Sequence, residues 1–279
     1  MSFVIKNKYR LSFLLEYNGQ NPIVHIPDNI DVIGENAFGD NDSLVDIHFS
    51  ESVFCIDERA FNGCENLESL NIPNNVTEIH EGAFRQCRHL KSVSLSERIE
   101  EIPIDMLNGC RNLSMIIVPE NIKKIKAGAF ANCEKLSDIY FMGNIEVIDN
   151  NAFEYCLALE SLDLPDSITK IGRDAFCGCN RLTEIKLSAN LKVIEPCLFY
   201  GCKKMKKIQI PKSVEIIGAS AFSKCEELYW CRIENGNAQI NEFAFSNCDP
   251  SKITIEAPKG MAVEKYARTN GFNYVEIQT

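Results

Sequence analysis

Histidine is scarce in this 279-residue chain: there are four, His25, His48, His80 and His89. None stands in sequence in a recognisable nucleophile and base arrangement. His80-Glu81 runs on into Gly82, Ala83 and Phe84, so the zinc-protease motif is missing as well. No phosphate-binding loop and no dinucleotide fingerprint occurs, and together these absences argue against an enzyme and call for no cofactor. Positive charge is also short. With 29 Lys and Arg against 39 Asp and Glu, the net charge is -10, which argues against a general affinity for nucleic acid or anionic lipid. Eighteen apolar residues never run together, so no membrane span is expected. The opening stretch MSFVIKNKYRLSFLLEYNG mixes basic with apolar residues and shows no cleavage site. On that reading the protein is cytoplasmic; it belongs at the cell surface or outside only if an export signal has been removed.

What the chain does have is a repeat, which must be sought before any element is assigned. Its 45% hydrophobic and 24% charged residues suffice for a sizeable core. Phe38, Phe61, Phe84, Leu107, Phe130, Phe153, Phe176, Phe199, Phe222 and Phe245 are spaced 23 residues apart without insertion or deletion. Alanine precedes nearly all of them; Met106 and Leu198 are the exceptions. From each such position, cysteine recurs at +3, leucine at +6, an aliphatic pair at +9 and +11, Val or Ile at +15 and isoleucine at +18. The +18 position, from Ile33 to Ile240, admits no substitution in ten copies.

The alternating pair at +9 and +11, often followed by proline as at Pro73, Pro119, Pro165 and Pro211, reads as a short strand. Val-x-x-Ile reads as a second short extended piece, and Ala-Phe-x-x-Cys as a helical turn. Each unit is then one coil of an α/β solenoid, with strands on one face and helical or 3-10 turns closing it. A lone coil cannot bury its apolar face, so stability comes from neighbour interfaces and the ends need caps. Residues 1–22 read as an N-terminal hairpin cap with a turn at Asn18-Gly19, and 23–256 as the ten-copy array. Residues 257–279 read as a C-terminal cap, with a helix over Met261–Asn270, Gly271 past its end and a last strand Phe272–Ile277.

The stretch LESLNIPNNVTEIHEGAFRQC, residues 67–87, resembles the BspA-like class of leucine-rich repeat proteins, and the match extends over about 230 of the 279 residues. The segment GMAVEKYARTNGFNYVEI is similar to that family's usual ending. The resemblance implies a right-handed leucine-rich-repeat solenoid with one continuous parallel sheet, used for binding proteins. Many members of the family are surface adhesins of microbes that live with animal hosts.

Thirteen cysteines would ordinarily raise a disulfide framework or a metal site. The repeat argues against both. Nine, from Cys64 to Cys248, share the +3 position and stack on adjacent coils, where rungs about 4.8 Å apart with parallel side chains do not suit a disulfide. They read as buried thiols acting as small hydrophobes in a reducing compartment. Cys55, Cys177, Cys197 and Cys231 lie off the column. Cys177-Gly178-Cys179 has no second pair or histidine at zinc-site spacing, and no metal site is expected.

Residues at +8, +10 and +12 alternate with the buried pair and point outward from the concave sheet, so they are free to carry specificity. Most are small or polar. Met115, Ile117, Tyr140 and Met142 break that habit and form a candidate partner-binding patch, unless the strand register shifts in the irregular fourth repeat. A second candidate cluster is Lys206, Lys207, Tyr229, Trp230 and Arg232. It adjoins a segment, 181–212, with eight basic and two acidic residues, which reads either as a solvated turn or as a site for an acidic partner. Three functions stay open: a non-catalytic scaffold binding another protein, a microbial surface adhesin binding host proteins, and a structural spacer or subunit of a larger assembly.

Overall fold

A computed structural model describes residues 3–277; residues 1–2 and 278–279, at the outer ends of the two expected caps, lie outside the described residues. The chain divides into two units, Met1–Asn144 and Ile145–Thr279.

In the first unit Phe3–Lys8 and Leu11–Tyr17 form an antiparallel hairpin. Tyr9 and Arg10 make the reversal with φ of 54° and 68°. Two left-handed residues in succession are the mark of a turn whose twist matches the flanking strands. Leu11–Tyr17 then pairs in parallel with Val32–Ile33 and so joins the hairpin to the first coil.

Each coil carries a strand of three or four residues at the alternating pair, such as Ser69–Asn71 or Met115–Val118, and a two-residue strand ending at the invariant isoleucine, such as Glu78–Ile79. Successive coils pair in parallel one period apart, as in Ile117 with Tyr140 and Ile56 with Ile79. The second unit follows the same plan, with Leu162 opposite Ile185 and Ile194 opposite Ile217. Its last step is one residue longer, since Trp230 pairs with Thr254.

The long strands run parallel from coil to coil as expected, with regular ladder pairing concentrated in groups that single backbone bonds such as Glu68 N–H to Val45 O at 3.0 Å connect. In the first unit they pair two by two: Ile23–His25 with Asp46–His48, Ser69–Asn71 with Ser92–Ser94, and Met115–Val118 with Asp138–Phe141. Strands this short make only one or two ladder bonds with each neighbour, so pairing lapses wherever one bond lengthens. The second unit holds a longer run of four, ending in Thr254–Ala257 and Asn273–Glu276.

The Ala-Phe-x-x-Cys segment is not the helical turn its length suggests. The N–H groups of Asn36, Phe38 and Asp40 donate to Glu58, Ala60 and Asn62 of the next coil, while those of Ala37, Gly39 and Asn41 bond back within their own coil. Such alternation requires left-handed residues two before and two after the column position: Asn36 and Asp40, Arg59 and Gly63, Gly82 and Gln86, and so on through Ser220 and Lys224. The segment is thus a third coil-to-coil ladder, made of successive turns.

The column side chains are buried, completely so from Phe61 to Phe222, and their rings stack. In the first unit Tyr17 lies on Phe38 at 5.1 Å, Phe38 on Phe61 at 4.7 Å and Phe61 on Phe84 at 5.1 Å. In the second the spacings run from 5.1 to 5.9 Å between Phe153 and Phe245, and Phe272 closes the row edge-on at 5.3 Å. Offset stacking of this kind adds about 0.5–1.5 kcal/mol per pair beyond burial. The helix Ala262–Thr269 turns Val263 and Ala267 inward, and Gly271 follows at φ 78°, where a side chain would be strained.

The cysteine column does more than fill space. Cys64 Sγ donates to the Phe38 carbonyl at 3.1 Å and Cys87 to Phe61 at 3.3 Å; in the second unit Cys202 donates to Phe176 at 3.3 Å. The same carbonyl already accepts the N–H three residues on, as Phe61 does from Cys64 at 3.2 Å. The thiol therefore occupies a second lone pair that valine or alanine would leave empty inside the core. In the first coil Asn41 stands at this position, and its amide donates to Gly19 O at 3.2 Å.

Candidate protein-binding surface

In the first unit the strands Met115–Val118 and Asp138–Phe141 run in register, Met115 opposite Asp138 and Ile117 opposite Tyr140. The irregular fourth repeat does not shift them: Met106, Leu107, Ile116 and Val118 are all completely buried. The alternate residues are therefore outward, with Met115 45%, Ile117 49%, Tyr140 51% and Met142 63% exposed. Beside them lies a depression of about 510 Å³ lined by Ser94, Glu97, Ile117, Pro119, Glu120 and Met142. Carboxylates of Glu97, Glu120 and Asp138 border the apolar side chains, giving the patch a negative rim.

The second unit carries the other candidate residues. Lys206, Lys207 and Tyr229 are exposed and Trp230 is half-buried. Lys207 Nζ stands 5.6 Å from the centre of the Tyr229 ring, a cation–π contact within the chain. Trp230 lines a depression of about 640 Å³ together with Asp163, Glu184, Lys186, Lys207 and Glu234. Arg232 is already engaged: its guanidinium meets the Glu256 carboxylate at 3.0 Å. The basic segment is similarly answered by neighbouring coils. Arg181 pairs with Glu160, Lys192 with Glu215, Lys203 with Glu226 and Lys204 with Glu227. Among the described residues, only Lys186, Lys206, Lys207 and Lys212 of its eight basic side chains form no ion pair.

No disulfide joins the cysteines among the described residues. Burial pushes the Cys64 thiol up to about 12, and Cys87, Cys202 and Cys225 are raised by the same cause. Cys248, in the last coil of the column, is only partly buried, as is Cys197; burial raises both.

One cluster of ligand-type side chains escaped the sequence reading. Cys55, Glu78 and His80 place a sulfur, a carboxylate oxygen and an imidazole nitrogen within 4.8 Å of one another. The Cys55 thiol is pushed up to about 12 by burial first and then by the carboxylates of Asp57 and Glu78. Spacing in the linear chain conceals the group, but Cys55 and Glu78 are one repeat period apart, and that period is the signal that finds them.

Stacked coils of short parallel strands, closed by turns around buried leucine, isoleucine and phenylalanine, define a leucine-rich repeat protein. The profile of the BspA type leucine rich repeat region, in six copies, matches residues 16–137 and 146–270, so the chain belongs to that family. A leucine-rich repeat protein from Bacteroides ovatus ATCC 8483 is similar in structure, with a TM-score of 0.59 and 23% identity over 98% of this chain and 90% of its own. One from Eubacterium ventriosum ATCC 27560 has a TM-score of 0.50 and 15% identity over 90% of this chain and 91% of its own. A leucine rich cell surface protein from Faecalibacterium prausnitzii A2-165 has a TM-score of 0.46 and 23% identity, covering 95% of each chain. No curated protein matches the chain significantly. Among the described residues, no helix is long and apolar enough to cross a membrane.

Proposed function

We propose that this protein is a non-catalytic scaffold that binds a partner protein through the outward side chains of its long strands, centred on Met115, Ile117, Tyr140 and Met142. The observation that carries the reading is that these four large apolar side chains stand exposed together, on and just beyond two paired strands, while the inward neighbours Ile116 and Val118 are fully buried and Ile139 and Phe141 partly so. Folding gives no reason for them, and contiguous apolar surface of this kind marks interfaces. The partner that fits presents an apolar ridge flanked by basic groups, which would meet Glu97, Glu120 and Asp138. Tyr229 and Trp230, with Lys206 and Lys207, form a secondary anchor. Basic and aromatic side chains meet here and at scattered other places, such as Lys224 over Tyr200 and Arg268 over Tyr274, not in a continuous track over successive coils as single-stranded nucleic acid requires. Residues 1–22 and 257–279 serve as caps on a repeat array spanning 23–256.

Thirteen cysteines without a disulfide among the described residues suit a reducing compartment, and we place the protein inside the cell. Fractionation of native cells tests that placement; recovery at the cell surface would turn the scaffold into an adhesin. The binding reading is tested by capturing a partner from native cells, purifying it, and comparing its affinity for wild type and for the Ile117→Ser, Tyr140→Ser double variant. Affinity falls by at least about 2 kcal/mol if these are anchors, with stability unchanged to within about 1 kcal/mol. Full affinity in the double variant would put the interface elsewhere.

A further inference from the structure

The short-strand ladder of the first unit brings together ligand-type side chains that the repeat does not explain. Cys55 and Glu78 are register partners in the strands Cys55–Ile56 and Glu78–Ile79. Two residues on, Asp57 and His80 stand in the same relation, with His80 Nδ1 2.8 Å from Asp57 Oδ1. The equivalent positions one coil earlier are Val32 and Gly34, and one coil later Glu101 and Pro103. The quartet is therefore a local departure, confined to two adjacent rungs. Cys55 is 5% exposed while Glu78 and His80 reach solvent, so the thiol forms the floor of a cup with an open mouth.

We propose that Cys55, Glu78 and His80, with Asp57 beside the imidazole, bind a divalent first-row transition-metal ion, Zn²⁺ being the ion their donor set suits best. Sulfur, imidazole nitrogen and carboxylate oxygen together match a borderline-soft, tetrahedral ion, whereas Mg²⁺ and Ca²⁺ take oxygen ligands alone. Metal bonds of about 2.0–2.3 Å put neighbouring ligand atoms of a tetrahedron about 3.3–3.8 Å apart. The cluster spans at most 4.8 Å, so the ligand atoms would draw in by about 1 Å around the ion, and the exposed Glu78 carboxylate is the side chain freest to do so. Asp57 fixes the imidazole orientation, as carboxylates commonly do behind a ligating histidine. Binding replaces the thiol proton by the ion, releasing that proton to solvent. The ion would tie one coil to the next on the short-strand side, independently of partner binding on the long strands.

The test is titration of the reduced, chelator-stripped full chain with Zn²⁺ by calorimetry and with Co²⁺ by absorption, using Mg²⁺ as control. One Zn²⁺ per chain, a thiolate-to-Co²⁺ charge-transfer band and a higher melting temperature with Zn²⁺ are expected. Cys55→Ser should abolish the band, and His80→Ala should weaken Zn²⁺ at least tenfold. Cys197→Ser, at a partly exposed thiol outside the cluster, should leave both unchanged. Glu78 and His80 are on the surface, so Glu78→Gln and His80→Ala carry the test if Cys55→Ser fails to fold. The absence of one-to-one binding, or full Zn²⁺ affinity in both surface variants, overturns the proposal, as does a band that survives Cys55→Ser.

Discussion

Replacing Phe176 by alanine removes a ring that has no contact with solvent and lies between two others, Phe153 at 5.6 Å and Phe199 at 5.9 Å, within 10° of parallel to each. Truncation of a buried phenylalanine costs about 3–5 kcal/mol through lost transfer energy and the cavity left behind. Leucine at the same site keeps most of the volume and loses both ring contacts, about 1–3 kcal/mol at 0.5–1.5 kcal/mol each. The chain itself tolerates leucine in this column at Leu107, which is fully buried. A repeat array transmits such a loss mainly to its neighbours, so the informative assay is native-state hydrogen exchange. Amides in Ser161–Asp163, Glu184–Lys186 and Lys207–Ile210 should lose protection in Phe176→Ala and lose less in Phe176→Leu. An alanine variant costing under about 1.5 kcal/mol, or a leucine variant as damaging as alanine, would refute the stacked column as the source of cohesion.

Native-state alkylation should label Cys197 first and Cys248 next, and leave Cys64, Cys87, Cys202 and Cys225 untouched until the chain is unfolded without reductant; early labelling of those four would contradict their burial. Alkaline pH should destabilise the fold. The Cys64 thiol is raised by burial to about 12, whereas an unfolded thiol ionises near about 8.5. Its contribution is thus full below about pH 8.5 and is lost progressively up to the folded value, at about 1.4 kcal/mol per pH unit. A melting temperature that stays flat from pH 8 to pH 11 under reductant would rule this out. Gly201→Ala should cost about 1–2 kcal/mol from backbone strain alone, because Gly201 has φ of 72° and nothing nearer than 3.9 Å to an added Cβ; chemical denaturation measures it, and an unchanged midpoint would mean the left-handed turn is dispensable.

The coil, its period and its buried positions were legible because nine consecutive steps carry no insertion, so offset arithmetic places each side chain. That same arithmetic put Ile117 and Tyr140 outward. The turn ladder was not legible, because glycine, asparagine or aspartate at its left-handed positions alternates irregularly with residues such as Arg59, Gln86, Tyr155 and Lys224, which announce no turn. Burial of the cysteines could be read from their column, but not their donation to the phenylalanine carbonyls. Those acceptors are aimed by turn geometry in the preceding coil. Arg232 looked available because its partner Glu256 lies across the single 24-residue step, where the period fails. Cys55 and His80 were passed over because sequence motifs search along one strand, whereas these residues meet across two.

The most direct test of the proposed binding face is a hydrogen-exchange footprint of the purified partner on the intact chain. Protection should rise at Met115–Val118 and Asp138–Phe141 and at the Glu97 to Asn121 border of the adjoining depression, with the turn ladder around Phe61 and Phe84 unchanged. A footprint on that turn ladder, with the Met115 and Tyr140 strands unaffected by saturating partner, would contradict the account.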